Sequence, residues 1–351
     1  MFVFTKYDVS GASSRVRFFN YIKFKLLSFD ANINSLFNDE YISNLYSMRG
    51  NSFFYVLKRY CIRIFFMFEA IFKKDDGLVW VEKELFPYIP IPFEFLFKLF
   101  GKKVIYDFDD AIFHNYDSRL FSSIFKWKFK VMMKNSHLVF AGNEYLSDKL
   151  SGMGAKNVVI LPTVIDENVT NIPKQKTNNH RLTVGWIGSP STQKYLDIVD
   201  SVIVKLQNEF EVDFCLIGAN ENIKLKSKVN IYKWSEETEY QLLSQFDVGI
   251  MPLYDSDFER GKCGFKILQY FAVSVPVVAS PVGVNSSLID NGIDGFLCFD
   301  EKDWYEKLKL LLGSEIKRRE FGGAGRRKII DYYNYSAQAK RVNEYISNSC
   351  S

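Results

Sequence analysis

Short apolar runs alternate along this chain with longer stretches of mixed polarity, a pattern that predicts parallel strands covered by helices. In the first half, Phe2-Val3-Phe4, Leu78-Val79-Trp80-Val81, Lys103-Val104-Ile105-Tyr106 and His137-Leu138-Val139-Phe140 read as buried strands, and Val158-Val159-Ile160-Leu161 closes the series. Thr183 to Ile187 restarts it, followed by Asp213 to Ile217, Val229 to Tyr232, Val248 to Met251 and Val277 to Ala279. The intervening 166–181 is polar and without periodicity, the composition of a linker. The expected organisation is therefore α/β: a first domain over 1–165, a hinge over 166–181 and a second domain over 182–325. A last helix, from about Gly325 to Asn348 within 326–351, would pack back on the first domain. Two doubly wound, Rossmann-like sheets facing a cleft place ligands outside the carboxyl ends of their strands.

A length of 351 residues suits two domains, and 47% apolar with 25% charged residues excludes a disordered chain or a disulfide-stapled scaffold. Aromatics reach 17%, with 33 Phe and 20 Tyr. The net charge of +4 is too small to argue for nucleic acid, but it is unevenly spread. Through Ile165 there are 22 Lys and Arg against 16 Asp and Glu; the remainder has 23 against 25. The first half is thus the candidate for an anionic surface or ligand. Cys61, Cys215, Cys263, Cys298 and Cys350 lie far apart with no metal-finger spacing, which fits a reducing compartment. No leader and no spanning helix are expected, so the chain reads as cytoplasmic.

Candidate chemistry follows the strands. Gly11, Ser13 and Arg15 lie in a small-residue loop opening a helix after the first strand. Gly188, Ser189 and Lys194 repeat that arrangement after the restart strand; the segment is not a Walker loop. Asp107, Asp109 and Asp110 crowd the end of a buried strand. Two readings stand: an acid/base or sugar-anchoring cluster, or a helix start whose carboxylates complement the dipole. Alternation along an extended segment would place Asp107 and Asp109 on one side and Asp110 on the other, favouring the first two. Asp107-x-Asp109 also matches a short D-x-D pattern that can bind a divalent ion. The densest segment runs from Glu259 to Ala272: Arg260, Lys262 and Lys266 are three cations within seven residues, with Gly261 and Gly264 opening the backbone. Such a site suits a dianionic phosphate.

The block Gly261 to Gly295, with PVVASPVGVN and Asn291-Gly292-x-Asp294-Gly295, resembles the donor-site region of GT-B glycosyltransferases, family 4 (glycosyl transferases group 1). Ser13 to Arg17, Glu82 to Pro87 with Glu84, Tyr106 to Ala111 and Gly142 to Leu146 resemble a bacterial cell-surface polysaccharide subgroup. The resemblance implies a GT-B fold and retaining transfer of a sugar from a nucleotide-sugar donor to a glycan or lipid-linked acceptor, without bound metal or further cofactor. It implies Lys194, Lys262 and Lys266 as partners of the diphosphate. One departure is visible: the family's glutamate pair, E-x7-E, falls here at Gly261 and Gln269, and Glu259 is two residues out of register. Gln269 can still hydrogen-bond ribose hydroxyls. The departure keeps open a degenerate subunit that scaffolds an assembly complex; a GT-B nucleotide-sugar epimerase is the other alternative.

Three stretches of the first half combine aromatics with cations: 53–74, 93–103 and 120–134, the last with Lys126, Lys128, Lys130 and Lys134 and no acid. They read either as helices covering a sheet or as elements lying in a headgroup layer. Three in one domain favour peripheral membrane association, and nucleic acid is disfavoured because the aromatics sit in helical runs.

Overall fold

The computed structural model describes residues 1–46, 50–73, 77–118, 121–174 and 181–350. Lys74, Leu120, linker residues 175–180 and Ser351 lie outside the described residues. The chain divides into two compact units: Met1–Thr163 with Gly261–Cys263 and Ser336–Ser351, and Val164–Arg260 with Gly264–Tyr335.

The first unit holds β1 (Phe2–Tyr7), β2 (Asn32–Phe37), β3 (Leu78–Glu82), β4 (Lys103–Phe108), β5 (Leu138–Ala141) and β6 (Val158–Ile160). They form one sheet in the order β2-β1-β3-β4-β5-β6, every pairing parallel. Strand β2 escapes the apolar pattern because Asn32, Asn34 and Ser35 interrupt it; as an edge strand it is covered less fully. The two-residue pleat sends Phe4, Val81, Val104 and Tyr106 to one face. Helices Phe53–Phe72, Phe95–Leu99 and Ser122–Lys134 cover that face with Met67, Ala70, Phe97, Phe129 and Met133. On the opposite face Trp80 packs against Phe18 and Phe140, and Phe140 against Tyr345 of the last helix.

The second unit holds β7 (Leu182–Ile187), β8 (Val212–Ile217), β9 (Val229–Tyr232), β10 (Val248–Met251), β11 (Val277–Ala279) and β12 (Gly295–Leu297), again all parallel, in the order β12-β11-β10-β7-β8-β9. The short edge strand β12 begins on glycine and carries no sequence run long enough to announce it. Its sheet is buried on both sides, by a cluster around Trp186, Phe214 and Trp304 and by one around Ile187, Tyr270 and Phe271.

Two local expectations change. The final segment is two helices, Glu315–Asp331 and Tyr335–Cys350. Asn334 stops the first of them, its amide donating to the carbonyls of Ile329 (3.0 Å) and Ile330 (2.8 Å). The described part of the linker is not structureless: Glu167–Asn171 forms a 3₁₀ turn capped by Asp166, and Ile165 pairs with Asn334. The uncharged run 267–289 is cut by Pro276 and Pro281 into helix, strand and helix. Among the described residues, no helix is long and apolar enough to cross a membrane.

Candidate functional site

At the carboxyl ends of β1, β3 and β4 the first unit gathers an unusual density of charge. Asp107, the penultimate residue of β4, is gripped by Arg17: Nε donates to Oδ1 at 2.8 Å and Nη2 to Oδ2 at 3.0 Å, and both side chains are buried. Arg17 spends its remaining donor on the carbonyls of Leu161 (2.8 Å) and Pro162 (3.2 Å), tying the helical start to the end of the domain. Asp109 lies 2.7 Å from the Lys83 ammonium and accepts from the Ser13 hydroxyl at 2.5 Å. Burial opposes its ionisation, but Lys83, Ser13 and Arg17 together hold its carboxyl below the ordinary range. Lys83 also donates to Ser13 (2.9 Å) and stands 3.8 Å from Glu82, whose carboxylate takes the Ser14 hydroxyl (2.6 Å) and the Lys6 amide (2.7 Å). Lys83 adopts a left-handed backbone, φ +60°, a costly conformation for a non-glycine residue that the surrounding ion pairs hold in place.

Asp110 differs from its neighbours. Its side chain keeps 37% exposure and stands 4.0 Å from Lys83. Burial and then the adjacent Asp109 charge raise its proton affinity. Alternation along the strand puts Asp107 and Asp109 on one side and Asp110 on the other, and favours the first two as the functional carboxylates. The structure commits those two to Arg17 and Lys83 and leaves Asp110 the more open carboxylate, because the chain bends after Phe108 and the pleat no longer applies.

The other first-unit candidates are placed as follows. Gly11 is required, since a Cβ there would lie 2.3 Å from that of Tyr7. Arg15 is buried in the helical start beside Ser13. Glu84 is buried, accepting from Lys128 (2.6 Å) and from the Tyr116 hydroxyl. Lys128 therefore leaves the membrane-facing set, its charge being internal; Arg63 likewise turns inward, donating to the Thr5 carbonyl, and Arg59 serves the Ser35 and Leu36 carbonyls. Sequence reasoning missed Glu82, Lys83 and Arg17 as members of the cluster. Their signal was present in the charges of Glu82-Lys83-Glu84 at the end of a buried strand.

In the second unit the strand-end loops of β7 and β8 meet backbone to backbone. Gly218 has φ +77°, and a Cβ on it would lie 2.3 Å from the Gly188 carbonyl oxygen. A Cβ on Gly188 would meet the Trp186 ring at 2.2 Å and the Lys266 ammonium at 2.8 Å. Gly264, φ +66°, opens the helix Phe265–Ala272, and in its first turn Lys266 lies 4.4 Å over the Trp186 ring and 3.5 Å from the Thr192 hydroxyl. Thr192 also accepts the Ser189 amide at 3.1 Å. Gly188, Ser189, Thr192, Gly264 and Lys266 thus converge at one strand end.

The remaining donor-side candidates lie elsewhere. Lys194 is exposed in a 3₁₀ turn, Gln193–Ile198, with its ammonium 5.1 Å over Tyr195. Arg260 forks onto Asp255 (2.7 and 3.0 Å) at the surface. Lys262 belongs to the segment grouped with the first unit, its carbonyl accepting from Asn143 at 2.9 Å. Gln269 is buried and donates to Glu239 at 3.3 Å; the Trp234 indole donates to the same oxygen at 2.7 Å. Glu239 and Trp234 carried no motif to reveal them. Glu259 is buried beneath the Tyr195 and Ser256 hydroxyls.

Residues 181–314 match the family model described as glycosyl transferases group 1. This chain is a glycosyltransferase. The fold is GT-B, as in HepE of Anabaena, solved with UDP, which is 12% identical with a TM-score of 0.74 over 99% of each chain. A glycosyltransferase from Rickettsia africae is 14% identical with a TM-score of 0.71, covering 99% of this chain and 98% of that one. TarM of S. aureus, solved with fondaparinux, alpha-GlcNAc-glycerol and UDP, is 17% identical with a TM-score of 0.62 over 83% of this chain and 59% of its own. A comparison with curated proteins finds no match.

Proposed function

We propose that this glycosyltransferase moves a sugar, with retention, from a nucleotide-sugar donor to a glycan or lipid-linked acceptor in cell-surface polysaccharide biosynthesis, working peripherally on the cytoplasmic side of a membrane. The observation that carries the reading is the Lys266 ammonium held over Trp186 against the glycine-opened backbone of Gly188, inside the matched domain. A diphosphate there would receive a point charge and the amides of the helix opened by Gly264. HepE and TarM were solved with UDP, which supports a uridine diphosphate donor for this chain as well.

In the reaction, the bond from the anomeric carbon to the diphosphate breaks with its electron pair leaving on phosphate. An acceptor hydroxyl oxygen forms the new bond on the same face and gives up its proton. Asp110, half-buried, the most open of the three carboxylates and with raised proton affinity, is the residue we assign to accept that proton or orient that hydroxyl. Arg17 and Lys83 keep Asp107 and Asp109 in place beneath it. Since those two aspartates already hold cationic side chains, Asp107-x-Asp109 is a poor divalent-metal site, and metal-independent transfer is the reading we adopt. The test is a panel of nucleotide sugars watched for free nucleotide release, with and without membrane lipid extract and EDTA. Release that requires the extract and survives EDTA supports the proposal. Donor binding without release with any extract supports the scaffold reading, and sugar isomerisation without acceptor supports the epimerase.

A further inference from the structure

The helix Phe53–Phe72 is apolar on both sides. Its inner side packs Met67, Ala70 and Ile71 into the core. Its outer side, which globular packing would make polar, carries Phe54, Leu57, Cys61, Phe65, Phe68 and Phe72 at intervals of three and four residues, with Ile64 beside them. Phe54 is 78% exposed and Phe65 65%. From Phe54 to Phe72 this stripe runs about 27 Å at the helical rise. It continues into the short helix Phe95–Leu99, where Phe72 meets Phe100 edge-on at 5.5 Å and Leu99 is exposed. Lys98 there donates to Asn135 at 2.8 Å, joining it to the end of the helix Ser122–Lys134. That third helix repeats the arrangement: Phe121, Ile124 and Trp127 (54% exposed) stand outward, interleaved with exposed Lys126, Lys130 and Lys134. All three helices cover the same face of the sheet, so their outer sides belong to one surface of the first unit.

Exposed apolar area on this scale marks an interaction surface. Its charge selects the occupant. Lys58, Lys73 and Lys98 join the three lysines of the third helix on the exposed side, whereas the acids on the described residues of these helices are Glu69, which is exposed, and the buried Glu94 that caps the short helix; the exposed Asp117 ahead of the third helix pairs with Lys126 at 3.3 Å and offsets that one charge. A second copy seated face to face would set lysine against lysine. Aromatic rings with lysines beside them match instead the acyl boundary and the anionic headgroups of a bilayer. We propose that the outer face of these three helices docks flat on an anionic lipid bilayer. Arg59, Arg63 and Lys128 take no part, because they point into the fold. This deepens the peripheral-membrane part of the reading above and uses none of its candidate site residues, so vesicle binding and turnover can fail separately.

The full chain is mixed with phosphatidylcholine vesicles and with vesicles containing phosphatidylglycerol, and flotation is measured at low and high salt. The expected result is flotation with the anionic vesicles, weakened by salt. Lys126→Glu/Lys130→Glu/Lys134→Glu should lower the partition about 10²-fold or more, since each lysine near an anionic surface is worth about five-fold. Phe65→Ser/Phe68→Ser/Trp127→Ser should abolish it at all salt concentrations, and the melting temperature and binding of UDP should stay at wild-type level as the check on folding. Equal flotation of wild type and both variants, no flotation of wild type, or equal binding to neutral vesicles would overturn the proposal. So would a dimer of the wild type that the aromatic variant converts to monomer without change in flotation.

Discussion

The two units build their strand ends from opposite materials. In the first, cation and carboxylate are folded together: Arg17 with Asp107 and Lys83 with Asp109, supported by Ser13, Ser14 and Glu82. In the second, the strand ends are opened by glycine, at Gly188, Gly218 and Gly264, with Lys266 laid over an aromatic ring. Fixed internal charges are costly to bury and stay only when paired, so the first arrangement gives rigid hydrogen-bonding groups at set positions. Backbone without side chains leaves room beside a cation, so the second suits a large polyanionic ligand. An acceptor side needs orientation, while a donor side needs room and positive charge. The contrast therefore matches the division of labour proposed here.

The largest expected effect tests the internal charge of the first unit. Arg17→Met leaves Asp107 buried without its partner and should cost about 3–5 kcal/mol, read from the shift in the urea midpoint. The double variant Arg17→Met/Asp107→Leu should recover much of the loss. In the second unit, Arg181→Met removes the solvent-exposed pair with Asp213 and should cost less than about 1 kcal/mol. Equal costs for the two arginines would erase the distinction between the units.

Next comes chemistry. Asp110→Asn should lower turnover about 10²-fold, near 2.7 kcal/mol of barrier, with little change in melting temperature. Asp109→Asn should instead show in stability, because it strips Lys83 of its nearest carboxylate. The reverse pattern would move the acceptor site to Asp109.

On the donor side, Lys266→Ala should weaken donor use by about 1.5–3 kcal/mol, or roughly ten- to a hundred-fold in kcat/KM, with the fold intact. Gly188→Ala should act in the same direction by pressing on Trp186 and Lys266. Wild-type kinetics from both would place the phosphate elsewhere.

The smallest effect concerns pH. Asp109 titrates below its unfolded value, so its stabilisation is present above about pH 4 and lost as pH falls through the folded value. The stability gap between wild type and Asp109→Asn should accordingly narrow between pH 7 and pH 3 in urea titrations. A constant gap would mean that the Lys83 pair contributes nothing through ionisation.

Of the twelve strands among the described residues, ten stand out in the sequence as apolar runs; eight of these are interior strands, where burial on both faces demands an apolar residue at nearly every position, and β6 and β9 are half-exposed edges. The two that do not are edge strands: β2, interrupted by asparagines, and the three-residue β12. Strand-end candidates such as Asp107, Asp109, Asp110, Gly188 and Lys266 were legible for the same reason, since where a strand stops is a local property of the chain. Partnership was not legible. Arg17 and Asp107 are 90 positions apart, and Gln269 and Glu239 are 30 apart; only the sheet order brings each pair within hydrogen-bonding reach. Direction was equally hidden. The run 53–72 reads as one basic aromatic helix, and only packing decides that Arg59 and Arg63 point inward while Phe54 and Phe65 point out. Composition and period reveal which segments are strand and helix; which carboxylate is sealed by a cation and which faces solvent depends on contacts between residues that the chain keeps far apart.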